Sequence, residues 1–377
     1  MSPSKLMRES RIAGRRQPSQ YPTSRTARLD LAEERVHRPR YGSSTQACRE
    51  AINEYLAVDG SALSKPSDST RSGGGPDLRC RHREIIPGAT YLLTKKCLCD
   101  LFLIRPSEEI NAILIYLLAL KSKRYRVRVH HFCMMSNHLH LVVTDPEGRI
   151  PDFMREFLHE SSKAIQELLQ EKQRIWDPER YSAVRLLDLD AKIRFGVYTE
   201  LNPLAAGQTL PEDWPGLTSA RIDWGTTIRA ERPSVYFSKR RPEVVELELF
   251  PFEASDEPEI DVEFIEQLYK QTYDAMVSWL LDVQSKADQS LAGASTVLAQ
   301  PRTKRGHSQR ARLSPRYATR NRELLRRAIE DTRQFETDFE AARGRWLSGQ
   351  RRTIFPLGTY GYRVTFGVRV AAMRQAG

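Results

Sequence analysis

The sequence predicts an α+β fold, on three observations. Between about Glu84 and Gly225, strand-like and helix-like patterns follow in the order strand, helix, strand, strand, helix, strand, helix. Two of the strand-like runs are separated only by Ser136-Asn137, a turn signal that joins them as a hairpin. The composition shifts on both sides of this stretch, so the chain of 377 residues reads as one structured domain with appendages. The order is that of a split βαβ, ferredoxin-like domain with an antiparallel sheet. Around it we expect a disordered basic N-terminal extension at 1–83 and a mainly helical accessory region at 226–377.

Each element has its own signal. Up to Tyr41 there are ten Lys or Arg against four acidic residues, and the extension closes on SGGGPD. Such composition buries little apolar surface and predicts disorder. Only Thr45 to Leu63 shows helical spacing, in Ala47, Ala51, Tyr55 and Leu56, with no evident partner face. In PGATYLLTKKC, Tyr91, Leu93 and Lys95 alternate with Leu92 and Thr94, as in a strand. Ser107 is an N-cap for INAILIYLLALKSKRY, which is apolar almost all round and predicts a buried helix. The runs YRVRVHHFCMM and HLHLVVT form the hairpin. In PDFMREFLHESSKAIQELLQEKQ, Phe153, Phe157, Ile165, Leu168 and Leu169 recur at helical spacing. SAVRLL predicts a strand, and a helix from about Asp190 to Leu201 stops at Asn202-Pro203. Beyond Gly225 come an acidic stretch from Glu243 to Glu263 and a helix over Phe264 to Val283. Arg302 to Arg327 holds ten Lys or Arg and one Glu, and a strand is expected in GTYGYRVTFGVRV.

A formal net charge of +11 suits a phosphate-rich partner. Five cysteines, Cys48, Cys80, Cys97, Cys99 and Cys133, lack the paired Cys-x-x-Cys elements of a structural zinc site and read as free thiols in a reducing cytoplasm. No run approaches the ~20 apolar residues that span a bilayer, and the first residues lack a secretory core, so we expect no membrane partner and a cytoplasmic protein.

The chemistry concentrates in two places. In HLHLVV a period of two sets His138, His140 and Val142 on one face, with the two imidazoles ~7 Å apart at the backbone and able to converge on one ion. The opposite face, Leu139, Leu141 and Val143, can meet helices while the histidines face an open cleft. Alone, His-x-His also fits surface histidines or the ligand pair of a barrel-type metal hydrolase. That hydrolase would need further ligands downstream, where only His159 and His307 remain. In VYTELNP, Tyr198 and Asn202 lie four apart on one helix face. They also fit a packing tyrosine and a C-terminal cap. His130 and His131 are adjacent, so alternation sends them to opposite faces and at most one can reach the site. His159 reads as a surface residue.

Three blocks together point further. MMSNHLHLVVTDPEG resembles the HUH motif (histidine, hydrophobic, histidine) of single-tyrosine transposases, among them the REP-associated tyrosine transposases and insertion-sequence enzymes, with Ser136 where many members have proline. YTELNPLAAGQTLPEDWPGLTSA resembles their Tyr-x-x-x-Asn-Pro-Val-x-Ala-Gly-Leu-Val block, with Leu204 for valine and Gln208 for leucine. PGATYLLTKKC resembles their opening strand, with Leu92 for the usual histidine.

The resemblance implies that His138 and His140 hold a metal, that Asn202 is a third ligand or polar partner, and that Tyr198 is the nucleophile. It implies DNA transposition through a covalent 5′-phosphotyrosine and a 3′ hydroxyl leaving end, on single-stranded or hairpin DNA, in a bacterial cytoplasm at the nucleoid. A homodimer is left open. The ion expected is Mg²⁺ or Mn²⁺: both favour oxygen, and Mn²⁺ tolerates histidine better. Lys121, Lys123, Arg124, Arg126 and Arg128 near the hairpin, and the run Arg302 to Arg327, are candidate phosphate contacts. The alternative on this scaffold is a host-retained hairpin-binding protein that no longer cuts.

Overall fold

The structure, a computed structural model, describes residues 50, 52, 54–56, 84–253, 260–306 and 315–372. The rest of the expected disordered extension at 1–83 lies outside the described residues, as do Cys48, Cys80 and His307. The short helical piece at 50–56 does have a partner face: Ile52 is buried and, with Tyr55 and Leu56, joins a core beside Ala191 and Phe195.

The first strand, β1, spans Ala89–Lys96. Helix α1, Glu108–Tyr125, starts as expected at Ser107, whose hydroxyl accepts the Ile110 N–H at 3.2 Å. The hairpin is β2, Arg128–Met134, and β3, His138–Asp145. The Asp145 carboxylate accepts the N–H groups of Arg149 and Ile150 at 2.7 and 2.8 Å, starting α2, Ile150–Leu169. Then come β4, Ser182–Leu186, α3, Leu189–Glu200, capped by Asp188, and a turn of helix α4, Asn202–Ala205. A second hairpin follows, β5, Thr227–Glu231, and β6, Val244–Glu248. After it lie α5, Val262–Lys286, α6, Ala294–Ala299, β7, Tyr317–Ala318, and α7, Arg322–Leu347. The described chain closes with β8, Ile354–Phe355, α8, Gly361–Phe366, and β9, Arg369–Val370.

The main sheet runs β2-β3-β1-β4-β7. Its first four strands are antiparallel neighbours in the ferredoxin-like order, and β7 adds to β4 in parallel. Because side chains alternate, Leu93, Leu139, Leu141 and Val143 pack against α1 and α2, while Leu92, Val142 and Val184 pack against α3 and α5. The sheet is therefore covered on both faces. Both edges are covered too: the Phe250 N–H donates to the Val129 carbonyl at 2.9 Å beside β2, and β7 covers β4.

Among the described residues, segments beyond Gly225 join the same cores as the sheet, and one expectation changes. The second hairpin lies on α1, where the Tyr116 hydroxyl donates to the Pro242 carbonyl at 2.7 Å and its ring meets Phe237. The terminal GTYGYRVTFGVRV is helical at its centre. Tyr362 and Phe366, four apart, meet at 5.0 Å, and both lean on Trp346, a contact that helical spacing permits and a strand would split. Among the described residues no helix is long and apolar enough to cross a membrane.

Candidate active site

In register on β1 and β3, Lys96 faces His138 and Thr94 faces His140. The two imidazoles stand edge to face, ring centres 4.9 Å apart. Asn137 fixes the first: its amide nitrogen donates to the Asp100 carbonyl at 3.4 Å, so its oxygen accepts the Nδ1–H of His138 at 2.7 Å. The lone pair of His138 therefore sits on Nε2. His140 Nδ1 meets the Thr94 hydroxyl at 3.1 Å. Burial, then His138, then Lys96 hold His140 well below the usual imidazole range, so it is neutral. A neutral ring with Nδ1 tied to an oxygen is the form in which histidine binds a metal.

Helix α3 brings Tyr198 to the same face. Its ring stands edge-on to His140, centres 5.2 Å apart, flanked by Phe195 at 6.2 Å. The open cleft expected over the histidines is thus partly closed. His140 is only 4% exposed, because α3 packs on this face, and His138 is the more exposed of the two. Asn202 is buried, and its amide nitrogen donates to the Tyr198 carbonyl at 2.8 Å, capping the last turn of α3. Among the described residues no group of three or more His, Cys, Asp or Glu is assembled for a metal, so donors beyond the two imidazoles would come from an amide, water or phosphate. Leu92, at the place of the family histidine, faces Val142 in the core.

Alternation fails at His130 and His131. The register slips between Val129 and His131, a bulge that turns both rings to one side, where each meets Phe252, at 4.7 and 5.3 Å. Neither is exposed. His130 donates from Nδ1 to the Phe250 carbonyl at 2.8 Å and accepts at Nε2 from the Thr144 hydroxyl at 2.7 Å. Both nitrogens are used by the neutral ring, and burial pushes its pKa down to about 3.

The sequence reading missed Glu200, two residues past Tyr198. Its carboxylate, buried in the core, accepts the His131 Nδ1–H at 2.7 Å, the Ser219 hydroxyl at 2.6 Å and the Tyr269 hydroxyl at 2.8 Å. That network ties α3 to β2, to the chain after α4 and to α5. His131 and Tyr269 stack at 4.5 Å, and Gly196 makes room: a Cβ there would lie 2.9 Å from each ring. Nothing in the local pattern of YTELNP marks Glu200, since its partners come from distant segments.

The expected basic contacts divide. Lys121 is fully buried between Glu156 and Glu160, at 3.0 and 2.5 Å, so its ammonium holds α1 to α2 and is not offered to a phosphate. Lys123 is exposed. Arg124, Arg126 and Arg128 pair with Glu156, Glu147 and Glu253. The beginning of the later basic run reaches the site: Gly306 donates to the Asp100 carbonyl at 2.9 Å, and a Cβ on it would lie 2.3 Å from the amide nitrogen of Asn137. His159 is exposed on α2.

Fold and site together define an α+β protein with a histidine pair and a tyrosine on one sheet face. Residues 106–184 match the family model of IS200-like transposases, so the resemblance read from the motifs holds over that segment, which includes the histidine pair and stops short of Tyr198. No protein of curated function matches the chain. Among solved structures it is similar to a REP-associated tyrosine transposase bound to a REP hairpin, at 17% identity and a TM-score of 0.32, over 37% of this chain and 80% of that one. It is also similar to a candidate transposase from Deinococcus radiodurans R1, at 15% identity and a TM-score of 0.22, over 30% of this chain and 85% of that one.

Proposed function

We propose that the protein cuts and rejoins single-stranded or hairpin DNA in transposition, with Tyr198 as nucleophile and with His138, His140 and Asn202 as ligands of Mg²⁺ or Mn²⁺. The observation that carries the proposal is the packing of the Tyr198 ring on His140 beside His138, which sets a phenol and an imidazole pair on one face.

A phosphodiester repels nucleophiles by its charge, and a bound divalent ion would neutralise the non-bridging oxygens. The protein's part is to hold the rings and place the phenol. The Tyr198 oxygen attacks phosphorus, the tyrosine–phosphate bond forms, and the bond to the 3′ oxygen breaks. The phenolic proton is lost and the 3′ oxygen gains one. A phenol with pKa near 10 is only about a thousandth ionised at neutral pH, so positive charge nearby helps. In register with His138 on this face is Lys96, whose ammonium pairs with Asp100 at 3.5 Å. The ester keeps the bond energy, so another 3′ end can reverse the step. Asn202 would offer its amide oxygen, its nitrogen being committed to the Tyr198 carbonyl.

The test is adduct formation with labelled hairpin DNA in Mn²⁺ and in EDTA. A covalent adduct is expected only with the ion, reduced about a hundredfold or more by His138→Ala or His140→Ala. Undiminished adduct in EDTA contradicts the metal assignment. Hairpin binding with no adduct on any DNA supports the non-cutting alternative.

A further inference from the structure

The last part of the chain is basic without compensation. From Ala341 to Gly377 there are seven arginines and no Asp or Glu. Arg343 pairs with Glu340 at 3.0 Å. Arg345, Arg351, Arg352, Arg363 and Arg369 are all exposed, and none has a carboxylate partner among the described residues. This differs from the basic residues near the first hairpin, where Arg124, Arg126 and Arg128 each meet a glutamate.

These arginines sit on an ordered frame. Phe335, Phe339 and Phe355 are buried together under α7, β8 and α8, with Trp346 and Tyr362 packed against them. On that frame the turn after α7 forms a concavity of about 740 Å³, lined by Arg345, Gly349, Arg351, Arg352 and Ile354. Parallel pairing sets Arg369 beside Ile354. The Arg351 guanidinium lies 4.1 Å above the Trp346 ring, and Phe366, 54% exposed, stands 5.2 Å from the same ring.

Clustered cations that lack partners repel one another, and an anionic chain laid along them relieves that cost. Every cation is a guanidinium, which takes phosphate bidentately and stacks on flat rings. An exposed aromatic beside such a cluster suits an unstacked base. An anionic lipid surface would ask for charge and apolar residues on opposite faces of an amphipathic helix. Here Arg351 and Arg352 run directly into Ile354, and Arg363 into Val364 and Phe366, and α8 is six residues long.

We propose that this face, around Arg345, Arg351, Arg352 and Phe366, is a second binding surface for single-stranded DNA, holding the strand away from the cleavage point. The proposal rests on the reading of the chain as a DNA-strand enzyme. The module is fixed at the far end of the sheet from His138: the Tyr360 hydroxyl donates to Asp152 at 2.6 Å, and Glu84, just before β1, bridges to Thr359. By strand rise, β3 separates its two ends by ~24 Å.

The test is fluorescence anisotropy of a labelled oligothymidine with the full-length protein across a salt series. Replacing Arg345, Arg351 and Arg352 together by Gln is expected to weaken binding about tenfold or more and to lower the log–log salt slope by about 2. Phe366→Ala should weaken it about tenfold. Replacement of the three arginines by Lys should recover most of the affinity, with melting unchanged throughout. Unaltered affinity and slope in the Gln variant overturns the proposal, as does displacement of the oligonucleotide by phosphatidylserine vesicles at equal phosphate. Tyrosine adduct on a short hairpin is scored separately. Oligothymidine binding that depends on these arginines without any adduct keeps the surface and sinks the strand-transfer reading, and adduct with arginine-independent binding does the reverse.

Discussion

His138 and His140 were legible in the sequence because a strand's period of two needs only local alternation to set them side by side, and their rings do meet at 4.9 Å. His130 and His131 were not. The same rule sends them to opposite faces, but a one-residue bulge turns both toward Phe252, and no local pattern marks a bulge without a glycine. His130 gives a prediction at this scale. Its folded pKa of about 3 lies below the ordinary 6.5, so the unfolded chain takes up the proton first as pH falls. The stability that the neutral ring contributes is complete above about pH 6.5 and is lost progressively toward pH 3, at ~1.4 kcal/mol per pH unit once well below 6.5. His140, also lowered, acts in the same direction. Urea unfolding between pH 6 and 4.5 should show a shallower pH slope for His130→Asn than for the parent, by about that amount. Equal slopes would mean that His130 is not held neutral.

At the scale of elements, β1, α1, the hairpin and α2 follow from caps and periodicity that are local and strong: Ser107 does cap α1, and Asp145 starts α2. The second hairpin was hidden because VVELE lies in a stretch that reads first as acidic, although its alternation is that of a strand with Val245 and Leu247 inward. The terminal helix α8 has a strand-like sequence because β-branched and aromatic residues dominate it, and only its contacts with Trp346 decide otherwise. Helix α3 is the element on which the site depends. It carries Tyr198 on one side, and on the other Glu200, which receives three buried donors. Glu200→Ala removes their shared acceptor and leaves Ser219 and Tyr269 only the longer contacts, 3.3 Å each, to the Phe132 carbonyl and to His131, and a loss of about 3–5 kcal/mol in urea unfolding is expected. A loss under ~1 kcal/mol would mean that the network does not hold α3 in place.

Over the whole molecule, what the sequence could not display is long-range pairing. Strand β7 joins β4 across more than a hundred residues, Tyr269 reaches Glu200 from α5, and Gly306 closes on Asn137 beside His138. Each such contact is made by residues that look unremarkable in their own segments, so no local pattern shows that the region beyond Gly225 adds a strand to the sheet and side chains to both its cores. The histidine pair and Tyr198 are likewise assembled by the fold from two segments, and the family match includes only the first. We propose that this assembly makes Tyr198 the nucleophile. Trapping the covalent complex with hairpin DNA, digesting it and locating the nucleotide-bearing peptide by mass spectrometry tests that directly. The nucleotide is expected on Tyr198, with Tyr198→Phe forming no adduct while still binding the hairpin. A nucleotide on another tyrosine, or an adduct that survives Tyr198→Phe, would contradict it.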